Sequence, residues 1–248
     1  MRVVIVGASS GLGRCIGVGL AQAGEQVALL ARRAERVTAA AGEAGNGAVA
    51  IECDATDETK CKVAIDRAAE ALGGIDALVY TPGVGPLARI ETVTAQQWHD
   101  VFDVNVVGAA VTTAAALPYL KESSGVAAYL SSISASQTAP WPGLSAYAVT
   151  KAAMDKMVEA WRAEHPSVGF TRVVVGDCAG GEGDAMTEFA NGWDEELRNE
   201  LIPGWFQKGY LAGNLMPVQR LVDVVHMVLK AGAIDSIPSI TAAPRSMF

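Results

Sequence analysis

The chain has 248 residues, half of them apolar and few of them aromatic, enough for one large core. A formal charge of -8 and a pI near 4.9 argue against a nucleic-acid partner, whose phosphates such a surface would repel. No apolar stretch reaches the ~18 residues that suggest a membrane span, and Met1 leads straight into a strand-like run without a charged leader. Residues 1–248 are therefore expected to form a single cytoplasmic domain with no membrane association.

In chain order, short aliphatic runs alternate with helix-length segments. Arg2–Val6, Gln26–Leu30, Ala48–Cys53 and Ala77–Tyr80 read as strands, and Gly11–Ala23, Ala34–Gly42 and Asp57–Leu72 as the helices between them. A long helix is predicted over Ala95–Leu120, opened by Thr94 and Gln97 at capping-box spacing and bent or frayed near its end by Pro118. Val126–Leu130, the helix Ala146–His165 and Phe170–Val175 follow. Gly176–Met216 has weak periodicity, glycines and two tryptophans, the character of a lid or substrate loop. Val218–Leu229 is helical again, and Ser236–Ala242 is a candidate seventh strand. Repeated strand–helix–strand units predict an α/β fold: a doubly wound, mostly parallel, seven-stranded sheet of the Rossmann type, with helices on both faces.

Directly after the first strand stands Gly7-Ala-Ser9-Ser10-Gly11-Leu12-Gly13, opening a helix. Glycines permit a tight turn and close backbone approach, and the free N–H groups of a helix start favour an anion such as a pyrophosphate. This turn is the candidate dinucleotide site. An acidic residue near the end of the second strand would suit the 2′-hydroxyl of NAD(H). The sequence instead has Ala31-Arg32-Arg33, two cations that suit a 2′-phosphate, so NADP(H) is favoured over NAD(H). Asp54 and Ala55, at the end of the third strand, are candidates for the adenine side. Asp54 reads equally as a turn residue.

Ser145-Ala-Tyr147-Ala-Val-Thr-Lys151 begins a helix, placing Tyr147 and Lys151 four apart on one face. A phenol of pKa near 10 needs about 4 kcal/mol of differential stabilisation to titrate near 7, and a neighbouring ammonium in a partly desolvated cleft works in that direction.

With this pair in place the sequence resembles the short-chain dehydrogenases/reductases of about 250 residues. The matching features run in order: Gly7, Gly11 and Gly13; Asp54; Asn105 in the fourth helix; Ser131-Ser132 at a strand end; and Tyr147 with Lys151. They cover roughly the first 180 residues. The resemblance implies hydride transfer between a nicotinamide and a small-molecule carbonyl/alcohol pair, in a homo-oligomer (dimer or tetramer) paired through the fourth and fifth long helices. Tyr147 would be the acid/base, and Lys151 would lower its pKa and hold the nicotinamide ribose. A serine would hydrogen-bond the substrate carbonyl, and Asn105 would anchor a water of the proton relay. Strand-end alignment selects Ser132 as that serine; spacing from Tyr147 selects Ser134. A dinucleotide-binding sensor or scaffold is the alternative reading, and a sugar-nucleotide epimerase or dehydratase a third.

Three positions depart from the family pattern: Val6 before the first glycine, Tyr80-Thr81-Pro82-Gly83 after the fourth strand, and Gly176-Asp177-Cys178-Ala179-Gly180 after the sixth. No metal site is expected. Cys15, Cys53, Cys61 and Cys178 lack ligand spacing and read as reduced thiols, and His99, His165 and His226 are scattered singly.

Overall fold

The computed structural model describes residues 1–181, 183–232 and 234–245. In chain order the elements are β1 (Arg2–Val6), α1 (Gly11–Gln22), β2 (Gln26–Ala31), α2 (Ala34–Ala44), β3 (Val49–Glu52), α3 (Glu58–Leu72), β4 (Ala77–Tyr80), α4 (Ala95–Phe102) and α5 (Gly108–Ser123). The second half adds β5 (Val126–Ser132), α6 (Ile133–Ser136), α7 (Ser145–Glu164), β6 (Gly169–Val175), α8 (Glu195–Gln207), α9 (Val218–Gly232) and β7 (Ser239–Ala242). The strands form one sheet in the order β3-β2-β1-β4-β5-β6-β7, and every pair is parallel.

Both faces of this sheet are covered, which is why its strands are unbroken aliphatic runs. Val3 and Ile5 of β1 pack with Ile16 and Leu20 of α1, Val37 of α2 and Val225 of α9. Their neighbours Val4 and Val6 point the other way, into Ile65 of α3, Leu120 of α5 and Met154 of α7. Burying each such side chain contributes about 1.5–3 kcal/mol, so a single polar replacement in β1 would undermine one whole layer.

Several details differ from the sequence expectation. Strand β5 continues two residues further, to Ser132, because its full length pairs with β6 from Val126↔Gly169 to Ser132↔Val175. The long helix opens with the expected capping box, Gln97 N–H to Thr94 Oγ1 (3.2 Å) and Thr94 N–H to Gln97 Oε1 (2.9 Å). It is then interrupted by a π-helical turn over Asp103–Val107, closed by Gly108 N–H to Asp103 O. Pro118 does not fray the helix, which runs on to Ser123; the irregularity falls at the π turn, and α5 absorbs the single N–H that proline lacks. Strand β7 is only Ser239–Ala242, and the segment expected to be irregular contains α8. Glu182, inside that segment, lies outside the described residues. Contrary to the reading from apolar run lengths, the helical stretch Ala95–Ser123 is long and apolar enough to cross a membrane. Here it packs into the second layer through Ala109, Ala116 and Leu120.

Candidate active site

Strands β1 and β4 are neighbours, and the order runs outward from them in opposite directions, so a crevice opens beyond their C-terminal ends. The glycine turn lies there. Gly7 (φ +87°) and Gly11 (φ +58°) adopt left-handed conformations. At Gly13 a Cβ would stand 2.4 Å from Gly7 O and 2.3 Å from Thr81 Oγ1. Thr81 fills the space beneath the turn by donating to Val6 O at 2.6 Å, which gives the altered stretch after β4 a physical role. Ser10 caps α1 by position but its side chain makes no capping hydrogen bond, leaving the first-turn N–H groups without a capping side chain.

Arg33 reaches this turn, with Nη2 donating to Ser9 Oγ and Ser10 Oγ, each at 2.8 Å. It also pairs with Glu188, as does Arg36. Arg32 is exposed and lines the cleft with Leu12 and Ala55. Asp54 lines it too, while its Oδ1 accepts from Thr56 N–H (3.1 Å) and Thr56 Oγ1 (2.8 Å), so the turn role is present alongside any adenine contact.

Tyr147 and Lys151 share one face of α7 and line the same cleft, of about 930 Å³. Lys151 is 2% exposed, and its Nζ donates to Leu130 O (2.8 Å) and Pro82 O (3.2 Å). Desolvation pulls its pKa down to about 8, opposed by Asp155 one turn along the helix. The Lys151 ammonium is 5.8 Å from the Tyr147 ring centroid. Burial pushes the Tyr147 phenol up to about 12, with the Ser132 hydroxyl working against it and the charge of Asp155 adding to it. Ser132 and Ser134 are both present, their hydroxyls 2.9 Å apart, and Ser134 N–H donates to Ser132 Oγ at 3.2 Å. The two serine hydroxyls thus form one hydrogen-bonded unit.

Asn105 occupies the π turn and is fully buried. Its Oδ1 accepts from Val84 N–H (2.9 Å), and its Nδ2 donates to Val84 O (2.9 Å) and Thr150 Oγ1 (2.8 Å). Both amide hydrogens are engaged, so the side chain ties the loop after β4 to α7; the π turn supplies the angle that lets it do so.

The segment after β6 closes over Tyr147. Phe189 meets the Tyr147 ring edge-on, with centroids 4.9 Å apart. Trp193 Nε1 donates to Gly85 O (2.9 Å) and Trp205 Nε1 to Pro142 O (3.0 Å), while Trp141 stacks on Tyr210 at 5.7 Å. Pro82 O, Leu130 O, Thr150, Arg36, Glu188 and Phe189 were not found from the sequence. For the two carbonyls no signal exists, since any residue supplies one; Arg36 was within reach as a third arginine near the end of β2.

The three histidines lie outside the cleft, whereas Cys53 and Cys178 line it. His226 pairs with Glu25 at 2.7 Å, His165 stacks on Trp161, and Trp98 lies against Phe102. Burial pushes the Cys178 thiol up to about 12, which leaves it a poor nucleophile. Among the described residues no group of side chains is arranged to hold a metal.

An open parallel sheet with a glycine turn at its switch point is the architecture of dinucleotide-binding α/β proteins. The chain belongs to the short-chain dehydrogenase family, whose profile matches residues 1–194, and is an oxidoreductase of that family. It is 33% identical over 182 residues to 11-beta-hydroxysteroid dehydrogenase A of Sesamum indicum, covering 70% of this chain and 51% of that protein. It is 29% identical over 175 residues to an uncharacterized oxidoreductase of Listeria innocua, covering 67% and 68%. Among solved structures it resembles a 3-ketoacyl-ACP reductase from Sinorhizobium meliloti (TM-score 0.82, 24% identity, 99% and 98% of the two chains). It also resembles an alcohol dehydrogenase from Thermococcus sibiricus complexed with 5-hydroxy-NADP (TM-score 0.79, 23% identity, 97% and 94%). The matched stretch thus spans between about half and two thirds of the length of these curated relatives.

Proposed function

We propose that the protein is an NADP(H)-dependent carbonyl reductase or alcohol dehydrogenase in which Tyr147 is the acid/base, assisted by Lys151 and Ser132. The observation that carries this reading is the convergence of Tyr147, Lys151 and Ser132 on the cleft that begins at the glycine turn. The residues fit a dinucleotide. A Cβ at Gly7 or Gly13 would collide with Thr81 and distort the turn, the start of α1 has no side-chain cap, and Arg33 rests on Ser9 and Ser10 where a 2′-phosphate would find a cation. The bound nicotinamide supplies or accepts the hydride.

The chain's own groups manage the proton. Ser132 Oγ donates to the substrate oxygen and orients it beside Tyr147 Oη, which gives up its proton on reduction and recovers it on oxidation. Lys151, fixed by two carbonyls, keeps a third N–H for the cofactor ribose and stabilises phenolate. Asn105 acts as a positioning residue, holding α7 at its distance from the loop after β4. The same family reading extends to a homo-oligomer paired through α5 and α7, which scattering on the purified protein would check.

Titration with NADPH and NADH, followed by a carbonyl and alcohol panel, tests the proposal. NADPH should bind more tightly, and Tyr147→Phe should lower turnover by about 10²–10⁴ while NADPH affinity stays within about twofold. A second reading, a dinucleotide sensor without turnover, is favoured by Phe189 packed against Tyr147 and by the raised phenol pKa. Tight NADPH binding with no turnover across the panel would select it.

A further inference from the structure

The two oxygens of Glu188 divide between two guanidiniums, Oε2 with Arg33 Nη1 and Oε1 with Arg36 Nη1. Glu188 stands 155 residues from Arg33 and belongs to the segment after β6, whereas both arginines sit at the start of α2. The same Arg33 grips the glycine turn through Ser9 and Ser10. An anion bridging two arginines beside two hydroxyls has the partners a phosphate monoester seeks. The arginines hold the Glu188 carboxyl below its ordinary range, Arg36 most strongly, so it is an anion at neutral pH.

We propose that Glu188 is a cofactor-specificity residue: an internal anion that neutralises the arginine pair a 2′-phosphate would use and so lowers the preference for NADP(H) over NAD(H). The proposal rests on the reading of this cleft as an NADP(H) site. A 2′-phosphate must share or displace the carboxylate, and like charges brought onto the same arginines repel. A 2′-hydroxyl carries no charge and can donate to a carboxylate, so NAD(H) meets no such opposition. Side chains of Arg33, Arg36 and Glu188 are 41%, 37% and 33% exposed, so water and salt screen the repulsion. Screening makes the effect a graded shift in cofactor ratio.

Glu188→Gln keeps the shape and removes the charge. Calorimetric titration of wild type and variant with NADPH and NADH should show NADPH binding about tenfold tighter in the variant, which corresponds to about 1.4 kcal/mol. NADH should bind equally or more weakly, and the change in ratio should shrink at high salt. Adding Arg36→Gln to the variant should reverse most of the gain, and a thermal melt confirms that each protein is folded. An unmoved ratio, or weaker NADPH binding, overturns the proposal. The wild-type ratio tests the underlying cofactor reading separately. A wild type that prefers NADH, with a ratio still shifted toward NADPH in Glu188→Gln, sinks that reading and upholds the role of Glu188. Binding of neither cofactor by either protein sinks both.

Discussion

The turn after β1 and the segment between β6 and α9 wall the same cleft, but they are held by different forces. The turn is fixed by backbone in contact with backbone: Gly13 leaves no room for a methyl, and Thr81 is hooked to Val6 O directly beneath it. The later segment is held at the tips of side chains, by Phe189 and Trp193 ring contacts, an indole N–H on Gly85 O and the Glu188 ion pairs, most of them half exposed. A region of the first kind either keeps its geometry or loses it. One of the second kind can be adjusted a contact at a time, which is where affinity and selectivity are tuned.

The contrast is broken most directly at Gly13. Gly13→Ala should cost about 3 kcal/mol of stability, because neither Gly7 O nor Thr81 can retreat cheaply. Cofactor affinity should fall by about 100-fold or more, equivalent to at least about 2.7 kcal/mol. Denaturant titration and calorimetry would read both, and a near-neutral result would mean the turn is as adjustable as the lid.

Lys151 gives the next largest effect. In the folded protein burial brings it from 10.5 to about 8. Between those values the folded form sheds its proton while the unfolded form keeps it, so stability rises with pH across that window. The rise is about 3 kcal/mol, and below pH 8 this contribution is absent. The stability difference between wild type and Lys151→Met, followed without cofactor from pH 7 to 10.5, isolates it; a flat difference would show a solvated ammonium.

In the lid the effects shrink. Trp193→Ala removes two ring contacts and one hydrogen bond from a half-buried site and should cost about 2 kcal/mol. Its KM for a bulky carbonyl should change more than its affinity for NADPH. Gly192→Ala meets no atom within 4 Å and bears only the strain of φ +78°, about 1 kcal/mol. A melt in which the lid variants match Gly13→Ala would erase the distinction between the two regions.

What the sequence revealed follows the same division. Strands buried on both faces announce themselves as aliphatic runs, a capping box is a local spacing, and the glycine turn is local to one strand end and one helix start. Tyr147 and Lys151 were legible because one helical turn is a fixed interval. The π turn was not, since Asp103–Val107 has nothing in its composition that demands an i to i+5 bond. The pairing of Glu188 with Arg33 and Arg36 joins sites more than 150 residues apart and has no local signature. The choice between Ser132 and Ser134 rested on counting loop residues, whereas in the fold their hydroxyls touch.

Because all seven strands run the same way, the protein has a working edge and an idle one. Every group assigned to chemistry lies at or beyond the strand C-termini, while at the other edge Arg2 is knit to Asp76 and Ser123 to Ile75 O. Helix α5 ends on that idle edge, with Lys121 exposed in its last turn. A tether attached at Lys121 would leave the mouth of the cleft facing away from the support, which makes the sheet's polarity a practical guide to mounting the protein on a surface.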